Sequence, residues 1–473
     1  MRTQSQNLIP ILVAALAVSA PTQDLTEAQL IEKARGIHKR VITLDTHKDI
    51  SASLASEFSG ADIEDPAERE LQRQRHAQSA DPTVDGRNQV DFPKMRAGDY
   101  DCAFFIVFVG QASPLNPAVY SRMHNSAMLK FDAIDRMGER FPDDIEIAYT
   151  PDDVRRIAAE GKLIACIGIE NGGIMGEDLS KIALYQKRGA RYMSITHNGN
   201  NQLGDSQSAG RNPASGGLTE LGKKAVAEMN RVGIMVDVSH ADKKTMMDAV
   251  AASQAPVIAS HSGVDAIRVH GRNLDDEQLL ALKENGGVIQ CVAFASYVSD
   301  TTPNREATAA LRAELGMPAT GRGRGRGAGR GTGRGGRGAG RGTGRGGRAA
   351  GGGRRGGRGQ AAEASIDPAI VAKYNERKKE IDAKFPGANV SSFADHIDHA
   401  VKLIGLEHVA ISSDFDGGGG LEGWRNASET FNVTLELVRR GYTEEQIGML
   451  WSGNTLRVWA EVEAIAKKLQ SGK

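Results

Sequence analysis

Short apolar segments alternate with amphipathic segments along most of the chain. Eight apolar or β-branched runs have the length of strands: residues 41–46, 102–109, 163–169, 192–196, 234–238, 257–260, 287–292 and 408–412. Segments with apolar residues at helical spacing lie between most of them, among them 25–40, 117–140, 150–160, 218–232 and 275–284. Continuous apolar runs are typical of strands buried on both faces. The alternation predicts an α/β fold with a parallel sheet, and eight units predict a (β/α)₈ barrel of the TIM type.

Residues 41–50, with the sequence VITLDTHKDI, contain the first predicted strand, and side chains that can bind a metal ion lie at its end. His47 and Asp49 are two residues apart, so on an extended strand they point to the same side. Neutral imidazole and carboxylate both suit Zn²⁺ and similar divalent ions. The pair alone is a weak signal, because many buried strands end in a hydrogen-bonded His or Asp.

Residues of the metal-binding types follow six of the eight predicted strands, at the end where (β/α)₈ barrels carry their chemistry. They are His47, Asp49, Glu170, His197, Asp237, His240, His261, Asp414 and Asp416. A single His after a strand is more often a hydrogen-bonded core residue than a ligand, but six strands with such residues at one end are hard to obtain by chance. Four His and several carboxylates exceed the needs of one Zn²⁺ and suit two metal ions.

Charge separates one basic segment from an acidic remainder. Residues 321–359 hold twelve Arg and no acidic residue, and the rest of the chain has 47 basic and 59 acidic residues, a net charge of −12. The segment 319–360 contains almost only Gly, Arg, Ala and Thr, and an eleven-residue unit occurs at 327–337 and again at 338–348. We expect a disordered insertion between strands seven and eight.

Three interpretations of this insertion stay open. It is a repeat expansion in a tolerant loop, a segment that binds an anionic surface, or an RNA-binding segment. Nucleic acid is the least favoured partner, because no aromatic residue is interleaved for base stacking. An anionic surface here means a cell envelope or the protein's own acidic barrel.

The N-terminus predicts export. Arg2 precedes an apolar run at 8–17 that ends in small residues, a pattern typical of a secretory signal peptide over residues 1–20. We therefore expect a secreted or periplasmic protein, with an uncleaved membrane anchor as the alternative. Residues 25–465 would form a single barrel domain. The chain has three Cys, an odd number without close spacing, which predicts buried free thiols and no disulfide framework.

Several longer motifs resemble one known family. The segments DTHKDI, IGIEN, SITHNGNNQLGDS, VIASHSG, RVHGRNLDDEQLLALKENGGVIQ and HIDHAVKLIGLEHVAISSDFDG occur in this order. Together with their flanking residues they resemble the membrane dipeptidase (renal dipeptidase-like) family of zinc metallopeptidases. The resemblance covers residues of about 38–300 and 388–465.

The resemblance implies a barrel enzyme with two Zn²⁺ ions per subunit that hydrolyses dipeptides, and the acceptance of a C-terminal D-residue stays open. A hydroxide that bridges the metals would attack the peptide carbonyl. By the family's pattern, His47 and Asp49 bind the first metal ion. Glu170 bridges both ions, and His240 and His261 complete the second site.

The same resemblance implies the groups that handle substrate. His197 would stabilise the oxyanion of the tetrahedral intermediate, and Arg272 would bind the free carboxylate of the substrate. Asp414 would carry protons and meet the free amine. If Arg272 holds the carboxylate end of the substrate and Asp414 holds its amine end, only a substrate of two residues fits between them. Lys48 departs from the family's usual Asn or small residue, and we expect little effect on metal binding because it points away from its neighbours.

Other functions stay open at this point. The same metals suit a related amidohydrolase that acts on lactams or other amides, and an inactive barrel that binds anionic surfaces through its Arg/Gly loop belongs to another class. The complete ligand set disfavours the inactive barrel. Manganese and cobalt accept the same ligands as zinc. The sequence leaves the oligomeric state open, although relatives are commonly dimers.

Further candidates are assigned structural or supporting roles. His396 and His399 are three residues apart on a helix that precedes the eighth strand, so they lie outside the barrel. His270 is a candidate for lining the substrate pocket. Asp237 is expected either to support His240, since a metal-binding His usually needs a partner, or to accept a hydrogen bond at the strand end. Asp416 is expected to cap the glycine-rich turn that follows it.

Overall fold

The structure, a computed structural model, describes residues 25–208, 212–318 and 367–472. The predicted signal peptide at 1–20 and the Arg/Gly-rich insertion at 319–360 lie outside the described residues. Within the described ranges, no helix has both the length and the apolar character that crossing a membrane requires.

All eight predicted strands are present and pair in parallel in one sheet. They are β1 (Leu44–Asp49), β2 (Cys102–Phe108), β4 (Leu163–Glu170), β5 (Ala190–Ser194), β6 (Met235–Asp237), β7 (Ile258–Val264), β9 (Val288–Val292) and β10 (Val409–Ser412), adjacent in this order. The short strands β3 (Ile145–Ile147) and β8 (Asn273–Leu274) pair with β4 and β7. The predicted (β/α)₈ architecture is confirmed, and the two additional strands are too short to produce an apolar run.

The two ends of the sheet meet where β1 and the segment after β10 come together. The Asp49 N–H donates to the Phe415 carbonyl oxygen at 2.8 Å. The fully buried Asp45 carboxyl accepts hydrogen bonds from the Ser413 N–H at 2.9 Å, from the Ser413 hydroxyl and from the Tyr100 hydroxyl at 2.5 Å. A buried acceptor with several donors is well compensated. Asp45 therefore joins β1 to β10 beside the residues predicted to carry the chemistry.

Helices cover the outside of the sheet. They are α1 (Glu27–His38), α2 (Pro66–Ala80), α3 (Phe92–Ala97), α4 (Pro117–Arg140), α5 (Pro151–Ala159), α6 (Ser180–Lys187), α7 (Glu220–Val232), α8 (Lys243–Ala252), α9 (Asp276–Glu284), α10 (Ala295–Val298), α11 (Thr302–Glu314), α12 (Pro368–Lys384), α13 (Val390–Ile404), α14 (Phe431–Arg439), α15 (Glu444–Gly448) and α16 (Asn454–Ser471). The predicted helices all occur. Helix α2 was not predicted, because only Ala80 of it is buried and an exposed helix needs no apolar stripe.

Apolar residues form two layers, one between the strands and the surrounding helices and one facing the inside of the barrel. The inner layer contains Phe104 and Tyr192, whose ring centroids are 5.2 Å apart, and Trp459 of α16 packs 5.9 Å from Phe104. This packed layer lies inside the barrel, below the carboxyl ends of the strands. The three cysteines are buried free thiols, as predicted.

Replacing Tyr100 by Phe tests the closure of the barrel. The substitution removes the hydroxyl that donates to Asp45 and leaves a buried acceptor with one donor fewer. We expect the free energy of unfolding to fall by about 1–3 kcal/mol, measured by urea denaturation. Tyr120→Phe is the control, because no hydrogen bond of its half-buried hydroxyl occurs within the described residues. Equal unfolding midpoints for Tyr100→Phe and wild type would contradict this role.

Candidate metal centre

Four imidazoles surround the carboxylate of Glu170 at the carboxyl end of β4. The Nε2 atoms of His240, His261 and His197 lie 2.9, 3.3 and 3.9 Å from Glu170 Oε1. The His47 Nε2 atom faces the other oxygen, Oε2, at 3.8 Å. Glu170 and three of the rings are almost fully buried, and the His197 side chain is 17% exposed. The residues predicted after four different strands therefore meet at one carboxylate.

Two further carboxylates extend this cluster toward β1 and β10. Potential ligand atoms of His47, Asp49 and Asp414 lie within 4.8 Å of one another. The same distance limit holds for the groups His47–Glu170–His261 and Glu170–His197–His240. Because the groups share members, the seven side chains form one continuous set of possible metal ligands.

Backbone conformation helps to aim two of these side chains. His240 and Asp414 have φ values of 68° and 57°, and Asn171, which follows Glu170, has a φ of 84°. Residues other than glycine rarely adopt this left-handed region and retain it only where their surroundings impose it. Such residues cluster at functional sites, and here they occur where three strands end in this cluster.

The ring orientation of His47 is set by Tyr192. The Tyr192 hydroxyl donates to the Thr46 carbonyl oxygen at 2.9 Å, and its oxygen lies 3.1 Å from His47 Nδ1. The hydroxyl proton is already used, so the oxygen accepts the Nδ1–H of His47. The Nε2 atom of His47 is then left with a free lone pair that points at the cluster.

The rings of His261 and His240 are held in the same way. Ser260 Oγ donates to Asp237 Oδ2 at 2.7 Å and lies 2.8 Å from His261 Nδ1, so it accepts that N–H. The Oδ1 atom of Asn198 lies 3.1 Å from His240 Nδ1 and accepts its proton. Asp237 thus supports a metal-binding candidate, but it does so for His261 through Ser260.

In these tautomers the Nε2 atoms that face the cluster are all hydrogen-bond acceptors, and no donor among the described residues faces them. The Nε2 atoms of His240 and His261 are 2.9 Å apart and both carry lone pairs. Burial, the largest cause, lowers the pKa of His47 to about 4 and the pKa values of the other two well below the usual range, so ring protonation does not relieve the contact. Asp49 Oδ1 is buried and has no hydrogen-bond partner among the described atoms. Divalent cations would satisfy all of these groups, and the donor set of His and carboxylate fits them.

The carboxyl groups of Asp49 and Asp414 lie near uncompensated negative charge, whereas histidines surround the carboxylate of Glu170. Burial alone would raise the pKa of Glu170, but His197, His47 and His240 hold it below its usual range. Burial and the nearby Glu170 raise the pKa of Asp49 to about 7. Burial, Asp49 and Glu170 raise the pKa of Asp414 well above its usual value. Bound cations would stabilise the ionised forms of all three.

Arg272 lies beside a cavity of about 270 Å³ next to the cluster. Its Nη2 donates to the His261 carbonyl oxygen at 3.0 Å, and its guanidinium lies 5.5 Å from the ring centroid of Tyr297. The buried Nε of Arg272 has no hydrogen-bond partner in the described part of the chain. His270 and His240 also line the cavity, as the sequence suggested for His270. The cavity suits a small ligand with an anionic end.

Two histidines outside the cluster have structural roles. His396 is buried on α13, where its Nδ1 accepts the Val264 N–H at 2.9 Å. His399 lies 3.0 Å from Asp276 on α9. Neither joins a potential ligand group within the described residues, as predicted from their place on a helix before β10.

Lys48 points away from the potential ligands and has partners of its own. Its Nζ lies 3.2 Å from Asp416 Oδ2 and 5.2 Å from the ring centroid of Phe105. Asp416 Oδ1 accepts the Gln89 N–H at 2.7 Å, so Asp416 does not have the turn-capping role that the sequence suggested. Two N–H groups of the following glycine-rich turn donate instead to the Asp414 carbonyl oxygen.

The ring partners Tyr192, Ser260 and Asn198 were not found by sequence reasoning. Each is adjacent in sequence or space to a predicted ligand, but hydroxyl and amide residues near strand ends are too common to single out. The order of strands around the barrel decides which of them meets a ring.

Comparisons with known proteins agree on one family. The profile of the family described as membrane dipeptidase (peptidase family M19) matches residues 31–473. "Dipeptidase aclJ" of Aspergillus oryzae is 29% identical over 385 residues, which are 80% of this chain and 72% of that protein. The probable dipeptidase PvdM from Pseudomonas aeruginosa has a similar structure, with a TM-score of 0.69, 28% identity and coverage of 93% of this chain and 100% of that chain.

A metallopeptidase from Rhodobacter sphaeroides shares the fold. Its structure, liganded with a phosphinate mimic of the dipeptide L-Ala-D-Ala, has a TM-score of 0.58 and 19% identity. The likeness covers 89% of this chain and 99% of that chain. At this identity it supports the (β/α)₈ architecture alone.

Replacing Ser260 by Ala tests the hydrogen-bond relay behind His261. Without the acceptor for Nδ1–H the ring loses its fixed tautomer, and we expect zinc affinity to fall about 10–100-fold, measured by competition with a chelating dye. Ser412→Ala is a matched control, since the buried hydroxyl of this β10 serine has no partner among the described residues. Unchanged zinc affinity in Ser260→Ala would contradict the relay.

Proposed function

Because the chain belongs to the membrane dipeptidase family (peptidase family M19), we propose that it hydrolyses dipeptides at a centre of two zinc ions. Membership makes it a metallo-dipeptidase, and the number and identity of the ions and the role of each residue are our proposal. One observation carries the proposal. The imidazole lone pairs around Glu170 converge in a buried site that lacks compensating donors among the described residues, beside Arg272, whose buried Nε has no hydrogen-bond partner there.

We assign the metal ligands from the two faces of Glu170. His47 and Asp49 would hold the first ion, and His240 and His261 would hold the second. Glu170 would bridge them, and the support is that its Oε2 faces His47 whereas its Oε1 faces His240 and His261. When bound, the ions supply Lewis acidity that polarises the scissile carbonyl and lowers the pKa of water.

Arg272 would bind the free carboxylate of the substrate. Its planar fork matches a carboxylate bidentately, and its contact with Tyr297 fixes the guanidinium plane. Its buried Nε is a donor that such a ligand would satisfy. Because Arg272 would bind this carboxylate close to the metals, it favours short substrates. It disfavours lactams and amides that have no free carboxylate.

Asp414 and His197 would carry the remaining steps. Asp414 lies 3.9 Å from His47 Nε2, beside the metal ligands, so its carboxylate would accept a proton from the attacking water and deliver it to the leaving amine. Asp414 would also meet the free amine of the substrate. His197, partly exposed at the mouth, would donate an N–H to the developing oxyanion, a contribution worth ~3–4 kcal/mol in other enzymes.

The proposal includes dipeptides with a C-terminal D-residue. Arg272 would recognise a carboxylate that both stereoisomers share. The Rhodobacter sphaeroides metallopeptidase is liganded with a mimic of L-Ala-D-Ala, which makes this dipeptide a suitable first substrate of the D series. Failure to cleave L-Ala-D-Ala under conditions that cleave L-Ala-L-Ala would restrict the proposal to L-residues.

We also infer that residues 25–465 form one barrel domain that is exported. The support is the apolar run at 8–17 after Arg2, which is typical of a signal peptide over residues 1–20. Recovery of the uncleaved chain from the cytoplasm would contradict export. Homodimer formation and weak binding to anionic surfaces through 319–360 stay predictions.

Replacing Arg272 by Met tests carboxylate recognition. We expect the zinc-loaded wild type to cleave L-Ala-L-Ala with a kcat/KM about a hundredfold or more above that for its C-terminal amide, since charge-assisted hydrogen bonds are lost with the amide. Arg272→Met should lose most of this difference while cleavage of the amide changes little.

Arg155→Met, which removes an exposed arginine of α5, is the matched control and should behave as wild type. Equal cleavage of the acid and the amide by wild type would instead favour the amidohydrolase alternative. No cleavage of any dipeptide would contradict the proposed function.

A further inference from the structure

Lys130 of α4 lies at the mouth of the barrel beside the metal-binding candidates. Its Nζ is 5.2 Å from the ring centroid of Phe108, the last residue of β2. Phe108 is paired in register with Glu170 on β4, and its ring contacts the His197 ring edge-on at 4.6 Å. The ammonium therefore stands one aromatic ring away from the side chains that surround Glu170.

This ammonium has a cation–π contact but no anionic partner. In the described ranges, no carboxylate lies within 4.0 Å of Lys130 Nζ and no hydrogen bond satisfies it, whereas Lys48 pairs with Asp416. Burial lowers the pKa of Lys130, and the more distant Asp49 and Glu170 partly offset this effect. A half-buried ammonium without an acceptor gains free energy when an anionic ligand supplies one.

The order of strands puts Lys130 opposite Arg272. Lys130 contacts the end of β2, and Arg272 follows β7, which is four positions away in the ring of eight strands. A dipeptide whose carboxylate is held by Arg272 and whose peptide bond lies at the central cluster directs its N-terminal residue toward the other side of the mouth. The side chain of that residue then lies on the β2 side.

We propose that Lys130 is a specificity-determining residue that favours dipeptides with an acidic N-terminal side chain. This inference rests on the proposed dipeptidase function and deepens it. Glutamate in the first position would place its γ-carboxylate toward the Lys130 ammonium, with Phe108 packing along its methylene groups. Lys130 is then a substrate-binding group that takes no part in the chemistry at the carbonyl.

The test compares L-Glu-L-Ala with L-Gln-L-Ala, which differ in charge but have nearly the same shape and the same scissile bond. We expect zinc-loaded wild type to show a kcat/KM about tenfold higher for L-Glu-L-Ala, mainly through a lower KM. Lys130→Met should abolish the preference and Lys130→Arg should retain it. Lys130→Glu should reverse it and favour L-Lys-L-Ala over L-Met-L-Ala, an outcome that a folding defect cannot produce.

Lys402→Met, which removes an exposed lysine of α13, is the control for net charge and should keep the wild-type preference. Equal kcat/KM for the two substrates in wild type, or a preference that survives in Lys130→Met, would overturn this inference. An equal loss of kcat/KM for both substrates in Lys130→Met would also overturn it, because such a loss is the signature of a purely electrostatic supporting role. If wild type cleaves no dipeptide at all, the proposed function fails instead.

Discussion

The contact on which the site depends is the approach of imidazole nitrogens to the buried carboxylate of Glu170. Acceptor atoms held about 3 Å apart away from water repel one another unless a cation lies among them. The fold must therefore supply a framework stiff enough to impose this arrangement. The closed barrel does so, because each ligand candidate stands at the end of a strand whose neighbours are fixed by main-chain hydrogen bonds and whose inner face rests on packed aromatic residues.

The groups behind the rings are mostly neutral, which affects the charge of the site. Tyr192, Ser260 and Asn198 accept the Nδ1 protons without adding negative charge, so the charge that bound cations must balance comes mainly from the acidic residues of the cluster itself. Close approach of two of these acids also requires a glycine. A Cβ on Gly417 would lie 2.2 Å from Asp414 Oδ1 and 2.9 Å from an oxygen of Asp49.

Local patterns predicted the strands and the residues at their ends, because the burial and the ends of a strand depend on residues that are neighbours in the sequence. The pairs that form across the barrel were not accessible in the same way. In the sequence, Lys130 occupies an ordinary polar position of an amphipathic helix. Its place beside Phe108 follows only from how α4 packs on β2. The partners of Asp416 depend likewise on a loop more than 300 positions away in sequence. Strands as short as β8 arise from tertiary contacts and leave no periodic signal.

The central claim is that the cluster around Glu170 is a centre for two zinc ions that hydrolyses dipeptides. The most direct measurement is a titration of the metal-free protein with zinc, in which bound metal and dipeptide hydrolysis are followed together. We expect binding to saturate at two ions per chain for wild type, and we expect Glu170→Ala to lose high-affinity binding of both ions together with activity. Saturation at one ion per chain, or full activity in the metal-free protein, would contradict it.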